Sequence, residues 1–257
     1  MKTVLHQTDK SGQIPPMTCR LYLNQPLETG TSLTLPTDQA HYLRSVMRLN
    51  AGEEVILFNG QGGEFLCTVE QLTRENPAVF IASHAEVDRE MPKRVHIVQA
   101  ACRSEKIETV LQKATELGAA SFTVVRSERS TLKLDGAKLK KRLQRWQSIA
   151  IEAAEQSGRT MVPQVRWINT LKDSPALGLC FTLHPEPKAS RWQEQKDAMF
   201  NAVDITLAIG PEGGWSDRDI DTLNTAGFNC LTFGPRVMRT ETAAPALLAA
   251  IQASIDS

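Results

Sequence analysis

Ile205-Thr206-Leu207-Ala208-Ile209-Gly210-Pro211-Glu212-Gly213-Gly214-Trp215-Ser216-Asp217-Arg218-Asp219 decides the fold class. Residues 205–209 are a short apolar run and read as a buried strand. Gly210, Pro211, Glu212, Gly213 and Gly214 end it with residues that free or stiffen the backbone. Ser216 and Asp219 then form an S-x-x-D capping box, the signature of a helix start. Downstream, residues 229–233 read as another strand, followed by Gly234-Pro235-Arg236-Val237-Met238-Arg239. An alanine-rich helix starts at Thr240 or Thr242.

The same alternation extends upstream. Residues 95–101 are a buried-strand run. Ser104 is placed to cap a helix that Gly118 can end, with Ile107, Val110, Leu111, Ala114 and Leu117 on one face. Residues 121–125 predict a strand, 138–157 a long helix and 178–183 a further strand. Strands alternating with helices predict an α/β domain with a mainly parallel sheet.

Before residue 88 the pattern differs. Residues 20–23, 32–35, 54–58, 64–72 and 78–87 read as short strands. Thr37 is a candidate cap for a helix through Arg48, with Leu43, Val46 and Met47 as its apolar stripe. Turn chemistry at 59–63 joins two of the strands. Short strands with Gly-rich turns predict a small β-barrel. The charged stretch 88–93, with Pro92, is the expected domain boundary.

Composition excludes several classes. Hydrophobic residues make up 41% of the 257, enough for a packed core. No run approaches the length of a membrane span, and residues 1–16 lack the apolar core of a secretory signal. The five cysteines are scattered, without zinc-ligand or redox spacing, as expected of reduced thiols in a cytoplasmic protein. Net charge is zero, yet residues 93–145 hold 13 Lys and Arg against 5 Asp and Glu, while residues 196–257 hold 4 against 8. That asymmetry builds either a solvated helix surface or one basic face for a polyanion.

Ligands in open α/β sheets sit beyond the strands' carboxyl ends. Three loops leave strands there: Leu183-His184-Pro185-Glu186, residues 210–214 and residues 234–239. Their backbone groups suit recognition of a purine edge. The second lacks the Lys-Ser/Thr of a P-loop and is not G-x-G-x-x-G, which argues against a phosphate cradle. A purely structural set of tight turns is the other reading. Arg236, Arg239 and Arg159 lie on Gly or Pro turns, where arginine suits a phosphate or a base. The competing reading pairs them with Glu155, Glu212 or Glu241.

Residues 210–214 and 234–243 together resemble the signature loops of the bacterial 16S rRNA (uracil-N3)-methyltransferase family, the RsmE type. Glu155-Gln156-Ser157-Gly158-Arg159 with Pro163, and Arg20-Leu21-Tyr22, resemble two further family segments. The resemblance spans about residues 19–251. It implies a SPOUT-type α/β domain with a C-terminal trefoil knot over residues 93–257, preceded by a PUA-like RNA-binding β-barrel over residues 17–88. It also implies a homodimer, S-adenosyl-L-methionine as cofactor, and a uridine of 16S rRNA, within the 30S subunit, as substrate. No metal is needed, because the methyl donor is already activated by its positive charge.

On that resemblance the cofactor residues are Thr182, Leu183, His184, Ile209, Gly210, Glu212, Gly213, Gly214, Phe233, Gly234, Val237, Met238 and Arg239. Arg236 and Arg159 are expected to stabilise the uracil anion. Glu155 or Glu241 is either a base or the group that orients those arginines, and orientation is favoured because Arg–Glu pairing is the commoner arrangement. His184 is expected to act mainly through its backbone. Arg20, Arg44, Lys133, Lys140, Lys141 and Arg142 are the expected RNA contacts. A change of target atom to a ribose 2′-hydroxyl, or a non-catalytic ribosome-assembly role, would use the same surfaces. Residues 1–16 precede the family's usual start; they are expected to be a disordered extension, or translation begins at Met17, which intact mass would decide.

Overall fold

The computed structural model describes residues 19–185 and 189–255. The extension read at 1–16 and Glu186 of the first loop lie outside the described residues. The chain divides into two compact units, with the break between Asp88 and Arg89.

The first unit holds β1 (Arg20–Tyr22), β2 (Ser32–Thr34), α1 (Thr37–His41), β3 (Glu54–Phe58), β4 (Glu64–Leu72) and β5 (Pro77–Ala85). Its sheet order is β1-β3-β4-β5-β2, with β1 parallel to β3 and the other pairs antiparallel. Alternate residues Val55 and Leu57, Cys67 and Val69, and Val79 and Ile81 fill one core with Leu21, Ala40 and Leu43. The end strands β1 and β2 share no pairing among the described residues, so the strand ladder itself does not close the barrel that was expected.

The helix after Thr37 departs from its sequence pattern. Pro36 occupies the cap position, with no side-chain capping bond, and Thr37 is the first helical residue. From Tyr42 to Val46 the turn widens to π-helix, the Met47 N–H reaching the Tyr42 carbonyl at 3.0 Å. The wide turn rotates the stripe off register. Leu43 is fully buried, while Val46 and Met47 are exposed.

The second unit holds β6 (Arg94–Ala100), α2 (Ser104–Glu116), β7 (Ser121–Val125), α3 (Gly136–Ser157), β8 (Gln164–Ile168), β9 (Leu179–Leu183), β10 (Ser190–Arg191), α4 (Trp192–Asn201), β11 (Asp204–Ile209), α5 (Asp217–Thr225), β12 (Asn229–Thr232) and α6 (Thr240–Ile255), so strand and helix alternate except where β8, β9 and β10 follow one another. All pairings are parallel, in the order β10-β12-β9-β11-β6-β7-β8. The sheet separates two cores. Ile205, Leu207 and Ile209 face α2, α3 and α6, while Ala208 and Val98 face α5.

Arg103, not Ser104, occupies the cap position of α2; the Ser104 hydroxyl donates to Glu108 instead, at 3.1 Å. β8, β10 and α4 went unread in the sequence for a simple reason. β8 is an edge strand with only Val165 buried, β10 has two residues, and α4 buries only Met199. None carries a legible apolar period. The second unit also begins earlier than residue 93. Glu90 accepts from Arg159 Nε at 2.9 Å and from the N–H groups of Thr160 and Met161 at 3.2 Å each, and Met91 is buried.

Candidate active site

β12, β9 and β11 are neighbours in the sheet and parallel, so their carboxyl ends stand side by side. The loops leaving them enclose one cavity of about 480 Å³. The first loop contributes Leu183, His184 and Pro185. The second contributes Ile209 and every residue from Gly210 to Trp215. The third contributes Leu231 to Arg239, including Phe233, Gly234, Arg236, Val237 and Met238. Thr240 and Ala243 of α6 close it. Leu183, Ile209, Leu231, Phe233 and Met238 give it apolar walls, and the Gly and Pro turns give it backbone polar groups.

The 210–215 loop is tied down by its carbonyls. Gly214 N–H donates to the Pro211 carbonyl at 2.9 Å. Arg129 Nη1 donates to the carbonyls of Gly213 and Trp215, 3.0 Å each. The Thr240 hydroxyl donates to the Gly210 carbonyl at 2.6 Å. Gly214 and Gly234 have φ of 68° and 71°, the left-handed region that favours glycine. The capping box that opens α5 is complete: Ser216 Oγ accepts from Asp219 N–H, and Asp219 Oδ2 from Ser216 N–H, both at 3.1 Å.

Two carboxylates stand by the cavity. Burial works to raise the pKa of Glu212, but its own N–H, the Arg103 N–H and guanidinium, and Lys106 outweigh it and hold it below the usual range. Arg103 Nε lies 3.2 Å from Glu212. Glu241 is likewise lowered, against burial, by its own N–H, by Lys106 at 3.1 Å and by Arg239. Both are therefore ionised at neutral pH. Burial, then the Glu212 charge, pushes the neighbouring Cys102 thiol up to about 12.

Thr182 does not line the cavity. It is fully buried one residue before the strand exit, its hydroxyl donating to the Ala208 carbonyl at 3.2 Å. Strand alternation puts Leu183 and Thr182 on opposite faces of the sheet. Lys106 and Arg129 line the cavity and were missed. They follow β6 and β7, whose exits lack Gly–Pro turns, so only the sheet order could find them.

Arg159 and Glu155 also lie away from the cavity within this chain. A helix crossing between parallel strands ends at the opposite edge of the sheet, and both residues sit at the end of α3. Arg159 is 5% exposed; besides Glu90 it bonds the carbonyls of Thr115 and Ala119, at 3.0 and 2.9 Å. Its guanidinium holds the start of the second unit together, which overturns the expectation that it stabilises a substrate anion. Nor is its partner Glu212 or Glu241, which pair with Arg103 and Lys106.

The basic residues divide similarly. Arg20, expected at an RNA contact, instead has a side chain only 11% exposed, paired with buried Glu64 and set over the Phe58 ring at 5.2 Å. Arg44 is half-buried and donates to the Leu72 carbonyl at 3.2 Å. Arg142 pairs with Glu108 at 3.3 Å. Lys133, Lys140 and Lys141 are exposed. None of the five cysteines is in a disulfide, and no group of His, Cys, Asp and Glu among the described residues is arranged to hold a metal ion.

The RNA methyltransferase domain family matches residues 89–252, and the RNA methyltransferase PUA domain family matches residues 35–81. Fold and pocket thus define the class, an RNA methyltransferase domain joined to a PUA domain. The ribosomal RNA small subunit methyltransferase E of Bacillus subtilis is 30% identical over 235 residues, 88% of this chain and 92% of that protein. The chain belongs to the ribosomal RNA small subunit methyltransferase E family. A relative of the same name from Synechocystis is 32% identical over 257 residues, 97% of this chain and 82% of its own. Among solved structures, ribosomal RNA small subunit methyltransferase E from Neisseria gonorrhoeae, bound to S-adenosyl methionine, matches with a TM-score of 0.83 at 31% identity, covering 92% of this chain and 97% of that one. A chain from Legionella pneumophila, in complex with the bound cofactor SAM, matches at 0.85 and 36%, covering 92% and 98%.

Proposed function

We propose that this chain methylates N3 of a uridine in 16S rRNA, using S-adenosylmethionine held in the cavity at the exits of β9, β11 and β12. The observation that carries the reading is the convergence of three Gly- and Pro-rich loops from adjacent parallel strands on one cavity of about 480 Å³. The residues fit the cofactor. Leu183, Ile209, Leu231, Phe233 and Met238 suit a purine's faces, and the loop backbones suit its polar edge. The ionised Glu212 and Glu241 favour a cation nearby. S-adenosylmethionine supplies an electrophilic methyl group on a positively charged sulfur.

The chain's own residues supply alignment and charge. Uridine N3 is a poor nucleophile until its proton passes to solvent, and the negative charge then spreads to the uracil oxygens. Arg236, exposed on the turn after β12, stabilises that charge. Glu241, tied to Lys106 and close to Arg239, orients cations rather than accepting the proton. The base reaches the pocket unstacked from its neighbours. Lys133, Lys140 and Lys141 hold backbone phosphates, and the first unit, residues 17–88, grips the RNA.

Three further points belong to this reading. The C-terminal chain forms a trefoil knot, supported by β11 lying between the earlier β9 and β6 and by α6 returning from edge-side β12 to pack on α2. The enzyme works as a homodimer, as the family resemblance implies, and sedimentation would check it. It acts in the cytoplasm on the 30S particle; no helix among the described residues is long and apolar enough to cross a membrane.

The test is methyl transfer from labelled S-adenosylmethionine to purified 30S particles and to naked 16S rRNA, with the product nucleoside identified by mass spectrometry. Label in 3-methyluridine is expected. Label on a ribose, or none in either substrate, would overturn the reading.

A further inference from the structure

A buried amide behind the pocket has no part in the reaction just described. Gln99, next to last in β6, is 1% exposed. Its Nε2 donates to the Thr240 hydroxyl at 2.9 Å and to the Ala100 carbonyl at 3.1 Å. The Thr240 hydroxyl in turn donates to the Gly210 carbonyl at 2.6 Å. A one-way relay therefore runs from β6 through the first residue of α6 to the first residue after β11, each bond polarising the next.

Two observations give this relay a purpose. First, Gln99 Oε1 is buried without a hydrogen-bond partner among the described residues. A buried acceptor left unmade is a loss of stability, so packing alone would favour an apolar side chain at this position. What the glutamine adds is an N–H on Thr240. Second, Gly210 is boxed in. A Cβ there would stand 3.3 Å from Trp215 N and 3.4 Å from Gly214 C, so the loop's return lies close against its first residue. Arg129 fixes the far end of that loop through Gly213 and Trp215. The relay fixes the near end.

We infer that Gln99 is a positioning residue for the cofactor loop, acting through Thr240 to hold Gly210 to Trp215 in the binding conformation before anything binds. This rests on the proposed reading of the cavity as an S-adenosylmethionine site. Preorganisation of this kind improves affinity by removing an ordering cost, at some expense of stability.

The test is calorimetric binding of S-adenosylmethionine to the full chain and to Gln99→Met, Thr240→Val, Thr240→Ser and the double variant Gln99→Met/Thr240→Val, alongside thermal melts and steady-state kinetics. Gln99→Met and Thr240→Val should each weaken binding about tenfold, roughly one lost hydrogen bond. The double variant should be no worse than the weaker single, since one relay is broken only once. Thr240→Ser, which keeps the hydroxyl, should bind within about twofold of the parent. Gln99→Met should melt at or above the parent temperature while KM for the cofactor rises and kcat holds. Gln99→Met binding like the parent, or Thr240→Ser as weak as Thr240→Val, would sink the relay alone. If Gln99→Met fails to fold, the Thr240 pair decides the question. A parent chain that does not bind S-adenosylmethionine takes the pocket reading down, and the relay with it.

Discussion

Arg236 and Arg159 show how far surroundings decide what one side chain can do. Both follow the same residue-type logic, a guanidinium on a turn. Arg236 is exposed at the cavity, while Arg159 spends its donors on Glu90 and two carbonyls. Replacing Arg236 with alanine should leave S-adenosylmethionine affinity within about threefold and lower methylation about a hundredfold or more, the range for losing one charge-stabilising donor. Abolished cofactor binding in calorimetry would instead make Arg236 part of the cofactor site. At the sheet's other edge, Arg94 grips Asp204 through two bonds of 2.7 Å, and His96 Nε2 lies 3.1 Å from the same carboxylate. Arg94 first, then His96, hold the Asp204 pKa well below its ordinary value. A lowered folded-state pKa adds stability above the unfolded carboxylate range, and that stability fades as pH falls through it. Asp204→Asn should therefore melt a few degrees lower at pH 7, and the gap from the parent should narrow below about pH 4. A gap that is constant with pH would show the charge to be irrelevant.

Among the elements, those with strong local signals were legible and those without were not. The capping box at Ser216 and Asp219 placed the start of α5 because it depends only on residues three apart. Ser216→Ala should lose about 1 kcal/mol, seen as a melting temperature lower by roughly 2–4 °C. An unchanged melt would mean that packing of Ile220 and Leu223 alone sets the helix. The capping residues assigned to α1 and α2 were off by one: Pro36 and Arg103 hold the cap positions, and the Ser104 hydroxyl donates to Glu108 instead. α4 escaped because its neighbours supply the order that its own sequence lacks: Trp192 packs edge-on against Phe233 of the β12 exit, 5.2 Å between centroids.

For the whole molecule, neutrality hides a division of charge. The exposed Lys133, Lys140 and Lys141 belong to the basic stretch, while Arg142 is tied to Glu108. Changing Lys133, Lys140 and Lys141 together to glutamine should leave cofactor binding intact and reduce the salt dependence of RNA affinity by about 0.7–0.9 per lost phosphate contact. An unchanged slope excludes this surface. Arg20, placed with them on sequence grounds, is already accounted for by Glu64 and Phe58 inside the first unit.

What residues 205–219 and 229–243 determined by themselves was local: strand, Gly–Pro turn, capped helix, and hence an α/β class with ligand-facing loops. Those features depend on contacts a few residues apart, and the three loops so read line one cavity. Only the tertiary structure decided that β12, β9 and β11 lie side by side, that Lys106 and Arg129 join them from strands far back in the chain, and that Arg159 ends at the opposite edge. Strand order is set by which apolar faces bury one another across more than a hundred residues, and no local period in the chain encodes that choice.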